Sequence, residues 1–173
     1  MLSIIAILAA VVVLIINPLE LTRRGRDAAR LSDLANLQNA INVAVQESTG
    51  SGTVAVLCKA SGSYPCGGPN DTGISNTGSR NPDGTGWVKT DMSSQKSVSV
   101  PTLPVDPIND ATYHYTYCAD KDAWEIDAVL ESDQQKTKMA NDGGNDNALD
   151  TSGRYEVGSN LTLIAASGGS CTY

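Results

Sequence analysis

Four cysteines, at positions 58, 66, 118 and 171, are the residues of this sequence with the clearest chemistry. An even number of thiols is compatible with disulfides and with an oxidising compartment. Zinc sites usually contain CxxC-type pairs, and the sequence has none, so we do not expect a bound metal. Four cysteines allow three connectivities. The simplest of these closes a local loop between Cys58 and Cys66, and it leaves Cys118 to pair with Cys171.

Catalytic chemistry has little support in the sequence. The single histidine, His114, would have to serve any Ser-His-Asp triad. It lies among tyrosines in TYHYTY, where a packing or surface role is more typical. We therefore predict no enzyme activity and no cofactor. Asp127 and Glu131 are interpreted as solvated charges near a strand end.

The acidic segment Asn141–Asp150 contains oxygen ligands of the kind that calcium binds in flexible loops. It lacks the glutamate that an EF-hand places at its twelfth position. We interpret it as a solvated loop, with calcium binding as the alternative that the resemblance described below favours.

Composition and charge exclude a further class of protein. The chain has 12 Lys and Arg against 19 Asp and Glu, a net charge of −7. Binding to nucleic acid requires a basic surface, so we do not expect it. A chain of 173 residues suits one domain with a modest core. The 16 glycines lie mainly after residue 49, which predicts a loop-rich second half with short strands.

The chain begins with an apolar run, Leu2–Ile16 (LSIIAILAAVVVLII), that contains no charged residue. As a helix it is roughly 22 Å long, against about 30 Å for the hydrocarbon core of a bilayer. A buried core helix would need more apolar segments to cover it, and a signal peptide would need basic residues before it. We therefore predict a membrane helix that continues beyond Met1 in the natural chain.

Asn17-Pro18 follows the apolar run and predicts a kink at Pro18, because proline removes a helical hydrogen bond. Residues 18–49 then carry apolar side chains at helical spacing and predict an amphipathic helix that ends near Gly50. Residues 1–17 and 18–49 together predict one helix of roughly 70 Å. The stripe predicted to pack on a sheet consists of Leu31, Leu34, Ile41 and Val45.

Residues 50–173 are predicted to form a globular region of loops and a small sheet. The clearest β signal is the alternation in Thr112–Ala119, followed by a turn and the return strand Ala123–Leu130. Weaker strand candidates are Trp87–Asp91 and Asn160–Ala165. The predicted fold class is α+β, with a long N-terminal helix packed on a small antiparallel sheet.

These elements and several motifs resemble the type IV pilins and type II secretion pseudopilins of bacteria. The helix motifs that carry the resemblance are SIIAILAAVVVLIINP (3–18) and RDAARLSDLANLQNAI (26–41). The motifs of the globular region are GWVKTDMSS (86–94), LPVDPIND (103–110), TYHYTY (112–117), WEIDAVLES (124–132) and YEVGSNLTLI (155–164). The resemblance covers nearly the whole chain and implies one pilin domain with a pilin-like roll.

The resemblance implies a structural subunit that polymerises through its apolar helix into a pilus or pseudopilus, alone or with other pilins. It also implies a prepilin peptidase and an assembly platform as partners. The implied location is the cytoplasmic membrane, with one membrane pass, an extracytoplasmic C-terminal domain and the cell surface after assembly. The arginines within residues 23–30 oppose this orientation under the positive-inside rule.

Two further expectations concern assembly. The family's N-terminal Phe-Thr-Leu-Ile-Glu-like stretch is absent before Ser3, which matches the missing length of the apolar run. The arginines within residues 23–30 are expected to pair with Glu20, Asp27 and Asp33 of neighbouring subunits. The alternative function is a membrane-tethered, extracytoplasmic binding module that does not polymerise.

Overall fold

A computed structural model describes residues 4–5, 17–51, 57–58, 72–93, 95–120, 122–165 and 169–171. These residues include one long helix, α1 (Pro18–Ser51), and a short 3-10 helix, Lys136–Lys138. They also include the strands β1 (Gly73–Ile74), β2 (Tyr115–Asp120), β3 (Ala123–Ala128) and β4 (Tyr155–Gly158). The strands form one antiparallel sheet in the order β1-β2-β3-β4. The fold is therefore α+β, with helix α1 packed on the sheet.

Helix α1 begins at a capped end. Asn17 is not helical, and its Oδ1 atom accepts the backbone N–H of Glu20 at 3.3 Å. Pro18 occupies the first helical position, where a missing N–H costs no intrahelical hydrogen bond. The helix runs to Ser51, just beyond the predicted stop at Gly50. A kink at Pro18 would involve residues 6–16, which lie outside the described residues.

Of the apolar run Leu2–Ile16, only Ile4 and Ile5 belong to the described residues, and both are helical and exposed. Within the described part of the chain, no helix has the length and the apolar character needed to cross a membrane.

One face of α1 packs on the sheet. Its buried apolar residues recur at helical spacing and are Leu34, Leu37, Ala40, Ile41 and Ala44. They share a core with aromatic and aliphatic residues of the sheet, which are Tyr115, Tyr117, Trp124, Ile126 and Val157. Of the predicted stripe, Leu34 and Ile41 are fully buried, while Leu31 and Val45 are only half-buried. The buried face is therefore centred closer to Leu37 and Ala44 than the prediction placed it.

The central hairpin is shorter than its predicted length. Strands β2 and β3 pair from Tyr115 opposite Ala128 to Asp120 opposite Ala123. The side chain of Asp110 accepts the backbone N–H groups of Thr112 and Tyr113 at 2.8 Å each. This turn keeps Thr112–His114 out of the sheet, so strand β2 begins at Tyr115.

Two strand predictions are wrong. Trp87–Asp91 forms a series of bends, because the N–H groups of Trp87 and Met92 bond to carbonyl groups of the loop at residues 79–82. Asn160–Ala165 begins as a turn, in which Asn160 Oδ1 accepts the N–H and hydroxyl of Thr162. The last strand of the sheet is instead β4.

A disulfide joins Cys118 on β2 to Cys171 near the C-terminus, as predicted. Their Cα atoms are 6.1 Å apart. Cys58 is also disulfide-bonded. Its predicted partner, Cys66, lies outside the described residues.

Candidate assembly interface and its ionic anchor

A buried arginine attaches α1 to the globular region. Arg30 is 0% exposed and lies on the inward face of the helix. Its Nε and Nη2 atoms donate to the two carboxylate oxygens of Asp106 at 2.6 and 2.9 Å. Its Nη1 atom donates to Glu131 Oε1 at 2.6 Å and to Asp27 Oδ1 at 2.8 Å. Bidentate, charge-assisted hydrogen bonds of this kind are among the strongest in proteins.

We call the cluster around Arg30 the ionic anchor; its members are Arg26, Asp27, Arg30, Asp106 and Glu131. The Asp27 carboxylate is fully buried and accepts the backbone N–H of Glu131 at 3.0 Å and of Ser132 at 2.7 Å. Arg26 donates to both oxygens of Glu131, at 2.7 and 2.5 Å. Every charged group of the anchor thus has an ionic partner, which buried charges require.

The anchor corrects two predictions. Glu131 is buried and bonded to two arginines, so it is not a solvated charge. Arg26, Asp27 and Arg30 have ionic partners within the chain, and Asp27 and Arg30 are too deeply buried to pair with another copy. Two other charges expected to pair between subunits also have internal contacts: Asp33 accepts the Tyr115 hydroxyl at 2.9 Å, and Glu20 pairs with Arg24 at 3.4 Å.

The anchor changes the ionisation of its members. Burial lowers the pKa of Arg30, but the hydrogen bonds and charges of its carboxylate partners outweigh this effect and raise the pKa. Burial raises the pKa of Glu131, but the hydrogen bonds from Arg26 and Arg30 outweigh it, and the net shift is downward. Glu131 is therefore held in its charged form by the two arginines.

We expect the anchor to weaken in acid. A carboxyl whose pKa is lower in the folded chain stabilises the fold above its unfolded pKa and loses this contribution as the pH falls through the folded value. For Glu131 the unfolded value is 4.5. Thermal unfolding of the full chain in detergent should therefore move to lower temperature below that pH. Glu131→Gln should be less stable than the wild type at neutral pH, and its melting temperature should fall less in acid.

The exposed Asp122→Asn is the matched control, and we expect it to keep the acid dependence of the wild type. A Glu131→Gln protein with the same acid loss as the wild type would contradict the role given to Glu131.

The outward face of α1 is exposed and uncharged over much of its length. From residue 28 to residue 46 its exposed positions are Ala28, Ala29, Ser32, Ala35, Asn36, Asn39, Asn42 and Gln46. A helix face that remains in water ordinarily carries charged residues. This face has small and amide side chains instead, so its burial against another surface desolvates no charge and requires only hydrogen-bond partners for the amides.

Six residues of this face follow one another at spacings of four and three, the pattern of a helix-packing seam. We call them the outward seam: Leu21, Gly25, Ala28, Ser32, Ala35 and Asn39. Leu21 is 61% exposed. A side chain at Gly25 would meet nothing within 4 Å, although glycine inside a helix costs about 1 kcal/mol relative to alanine. Contacts within the described part of the chain therefore do not explain why a glycine occupies this position.

The other sequence-predicted candidates have structural contacts. His114 is buried, with Nδ1 3.1 Å from the carbonyl oxygen of Asp110, and burial lowers its pKa. In the acidic loop, Asp142 accepts the N–H groups of Gly144 and Glu156 at 3.0 and 2.9 Å. No three His, Cys, Asp or Glu side chains within the described ranges are placed to hold a metal ion.

Searches among protein-family models, curated proteins and solved structures find no match to this chain. Its function is therefore inferred from the geometry of the helix and sheet and from the sequence motifs.

Proposed function

We propose that the protein is a structural subunit of a pilus or of a secretion-type pseudopilus and that its fold is a pilin-like roll. The observation that carries this proposal is the uncharged outward face of α1, on a helix whose opposite face is already packed on its own sheet. Small residues allow two helix backbones to approach closely. They also lose little side-chain entropy when buried.

The two opposite packing faces explain how copies of the chain would associate. One face holds the subunit's own sheet, and the other remains for the helices of neighbouring subunits. Repeated contacts between two different surfaces give an open helical filament when the rotation from copy to copy does not close into a ring. The apolar run Leu2–Ile16 needs apolar surroundings, which the bilayer provides before assembly and the filament core provides afterwards. A prepilin peptidase and an assembly platform remain the partners that the motifs imply.

A membrane-tethered binding module is the second candidate. It is favoured by a groove of about 480 Å³ between α1 and the extended segment at residues 98–104. Leu37, Val98 and Val100 give the groove an apolar part, and Asp33 gives it a carboxylate. In this function the outward seam would have no role apart from Asn39, which lines the groove.

A charge placed in the outward seam distinguishes the two functions. We expect Ala35→Asp to fold and to insert in the membrane but to form no filaments, because each contact along the helix would bury an unpaired charge. Filaments are measured by electron microscopy and sedimentation of material sheared from cells. The control is Asn147→Asp, at an exposed position of the globular region.

Wild-type amounts of filament from the Ala35→Asp chain would contradict the role of the seam. A wild-type chain that stays monomeric in the membrane of its host under all conditions would favour the tethered module.

A further inference from the structure

The sheet face turned away from α1 carries buried acidic side chains. Glu125 and Asp127 of β3 are 0% exposed, and Glu156 of β4 is 2% exposed. Glu156 lies directly opposite Asp127, and Gly158 lies opposite Glu125. Glu125 and Glu156 are therefore diagonal neighbours on the same face of adjacent strands.

Long side chains at diagonal positions of adjacent strands reach each other, so the carboxyl groups of Glu125 and Glu156 are placed to share a hydrogen bond. Glu125 Oε2 accepts the backbone N–H groups of Leu163 and Ile164 at 2.8 and 3.0 Å, and Glu156 Oε2 accepts that of Asp146 at 3.2 Å. The Oε1 atom of each is buried and accepts no donor from another group. Two adjacent buried carboxylates repel each other when both are ionised. One proton held between them satisfies both Oε1 atoms.

The surroundings contain few charges that would neutralise the pair. The charged groups of the packed elements are Asp127 on β3, Asp120 on β2, and Asp142, Asp146 and Arg154 on the segment before β4. Arg154 is the basic group among them, and its Nε atom lies 3.5 Å from Asp127 Oδ2. Residues 163–165 and 169–171, which we call the C-terminal flap, bring no titratable side chain apart from the disulfide-bonded Cys171.

We propose that Glu125 and Glu156 share a proton, and that this proton holds the C-terminal flap on the sheet until alkaline conditions remove it. Loss of the proton leaves two negative charges buried under Leu163 and Ile164. The flap then opens locally, while the disulfide between Cys118 and Cys171 keeps it tethered to β2. This device does not depend on whether the protein forms filaments.

The direction of the effect follows from the ionisation of the pair. Burial, and then the hydrogen bond with Glu156, raise the pKa of Glu125 from 4.5 to about 9. Burial also raises the pKa of Glu156. A carboxyl with a raised pKa contributes stability that is complete below its unfolded value and is lost as the pH rises through its folded value. The flap is therefore held most firmly in acid, loosens as the pH rises from 4.5, and has lost this contribution by about pH 9, which is opposite to the acid sensitivity of the ionic anchor.

Hydrogen–deuterium exchange of the oxidised, full-length chain in detergent micelles tests the proposal. After correction for the intrinsic effect of pH on exchange, we expect the protection of the Leu163 and Ile164 amides to fall by roughly tenfold per pH unit between the unfolded and folded pKa values of Glu125 and to level off above the folded value. The helix amides around Leu34 should keep their protection over the same range.

Glu125→Gln is the decisive variant, because its amide keeps an acceptor for the two flap N–H groups and donates to Glu156. We expect its flap protection to depend much less on pH than that of the wild type, while the exposed Asp122→Asn control behaves like the wild type. Wild-type flap protection that stays constant into the alkaline range would overturn the proposal, as would an unchanged pH dependence in Glu125→Gln.

If Glu125→Gln does not fold, carbon-13 titration of the wild-type glutamate carboxyls decides the question. A Glu125 carboxyl that titrates in the ordinary acidic range overturns the proposal, and one that titrates in the alkaline range supports it.

Discussion

Replacing Arg30 with alanine is expected to lower the free energy of unfolding by about 3–5 kcal/mol, the usual cost of removing one partner from a buried ion pair. The change would leave Asp27 and Asp106 buried without their arginine partner. Arg24→Ala is the matched control, since its guanidinium pairs with Glu20 on the surface and its side chain is 48% exposed. Exposed pairs of that kind are worth about 0–1 kcal/mol.

Chemical denaturation of the full chain in detergent, followed by circular dichroism, measures the free energy of unfolding of both variants. The loss of stability in Arg30→Lys should lie between the losses in Arg30→Ala and Arg24→Ala. An ammonium group keeps the positive charge but cannot make the bidentate contact with Asp106. Equal losses for Arg30→Ala and Arg24→Ala would show that the anchor contributes no more than a surface pair.

Leu34→Asp is expected to prevent folding. Leu34 is 0% exposed in the core between α1 and the sheet. The change removes roughly 1.5–3 kcal/mol of apolar burial and places an unpaired charge in an apolar site, which adds several kcal/mol more. Circular dichroism should show loss of the cooperative thermal transition. A melting curve like that of the wild type would contradict the packing of this helix face.

Ala35→Asp separates folding from assembly at the next position along the helix. Ala35 is exposed, and substitutions at such positions usually change stability by no more than about 0.5 kcal/mol. We therefore expect a normal melting curve together with the loss of filaments. If Ala35→Asp instead failed to fold, the outward face would have to contact the rest of the subunit.

The sequence predicted the elements whose periodic pattern is long. Helix α1 and the β2–β3 hairpin show sustained periods near 3.6 and 2, and both are present. The two-residue strand β1 is too short to show any period. The four-residue β4 lies immediately before the turn that was mistaken for the last strand, and the side chain of Asn160 forms that turn.

The ionic anchor was not predictable from spacing. Asp27 and Arg30 resemble the charges of a solvated helix face, and only their partners show that they are buried. Those partners, Asp106 and Glu131, are 76 and 101 residues from Arg30 along the chain. No local pattern joins positions so distant. The carboxyl pair on the outer sheet face was missed for a similar reason, since acidic residues in a strand suggest a solvated face unless the covering segment is known.

The same separations impose an order on biosynthesis. At about 5–20 residues per second, ribosomes need roughly 5 to 20 seconds to extend the chain from Arg30 to Glu131. For the first 76 of those 101 residues, Arg30 has only Asp27, three positions away on the same helix, as an anchor partner already made. The anchor is therefore incomplete until Glu131, just beyond the β2–β3 hairpin, has been translated. A chain interrupted before Glu131 would lack the carboxylate that bonds to Arg26 and Arg30, so its helix would be only partly attached to the globular region.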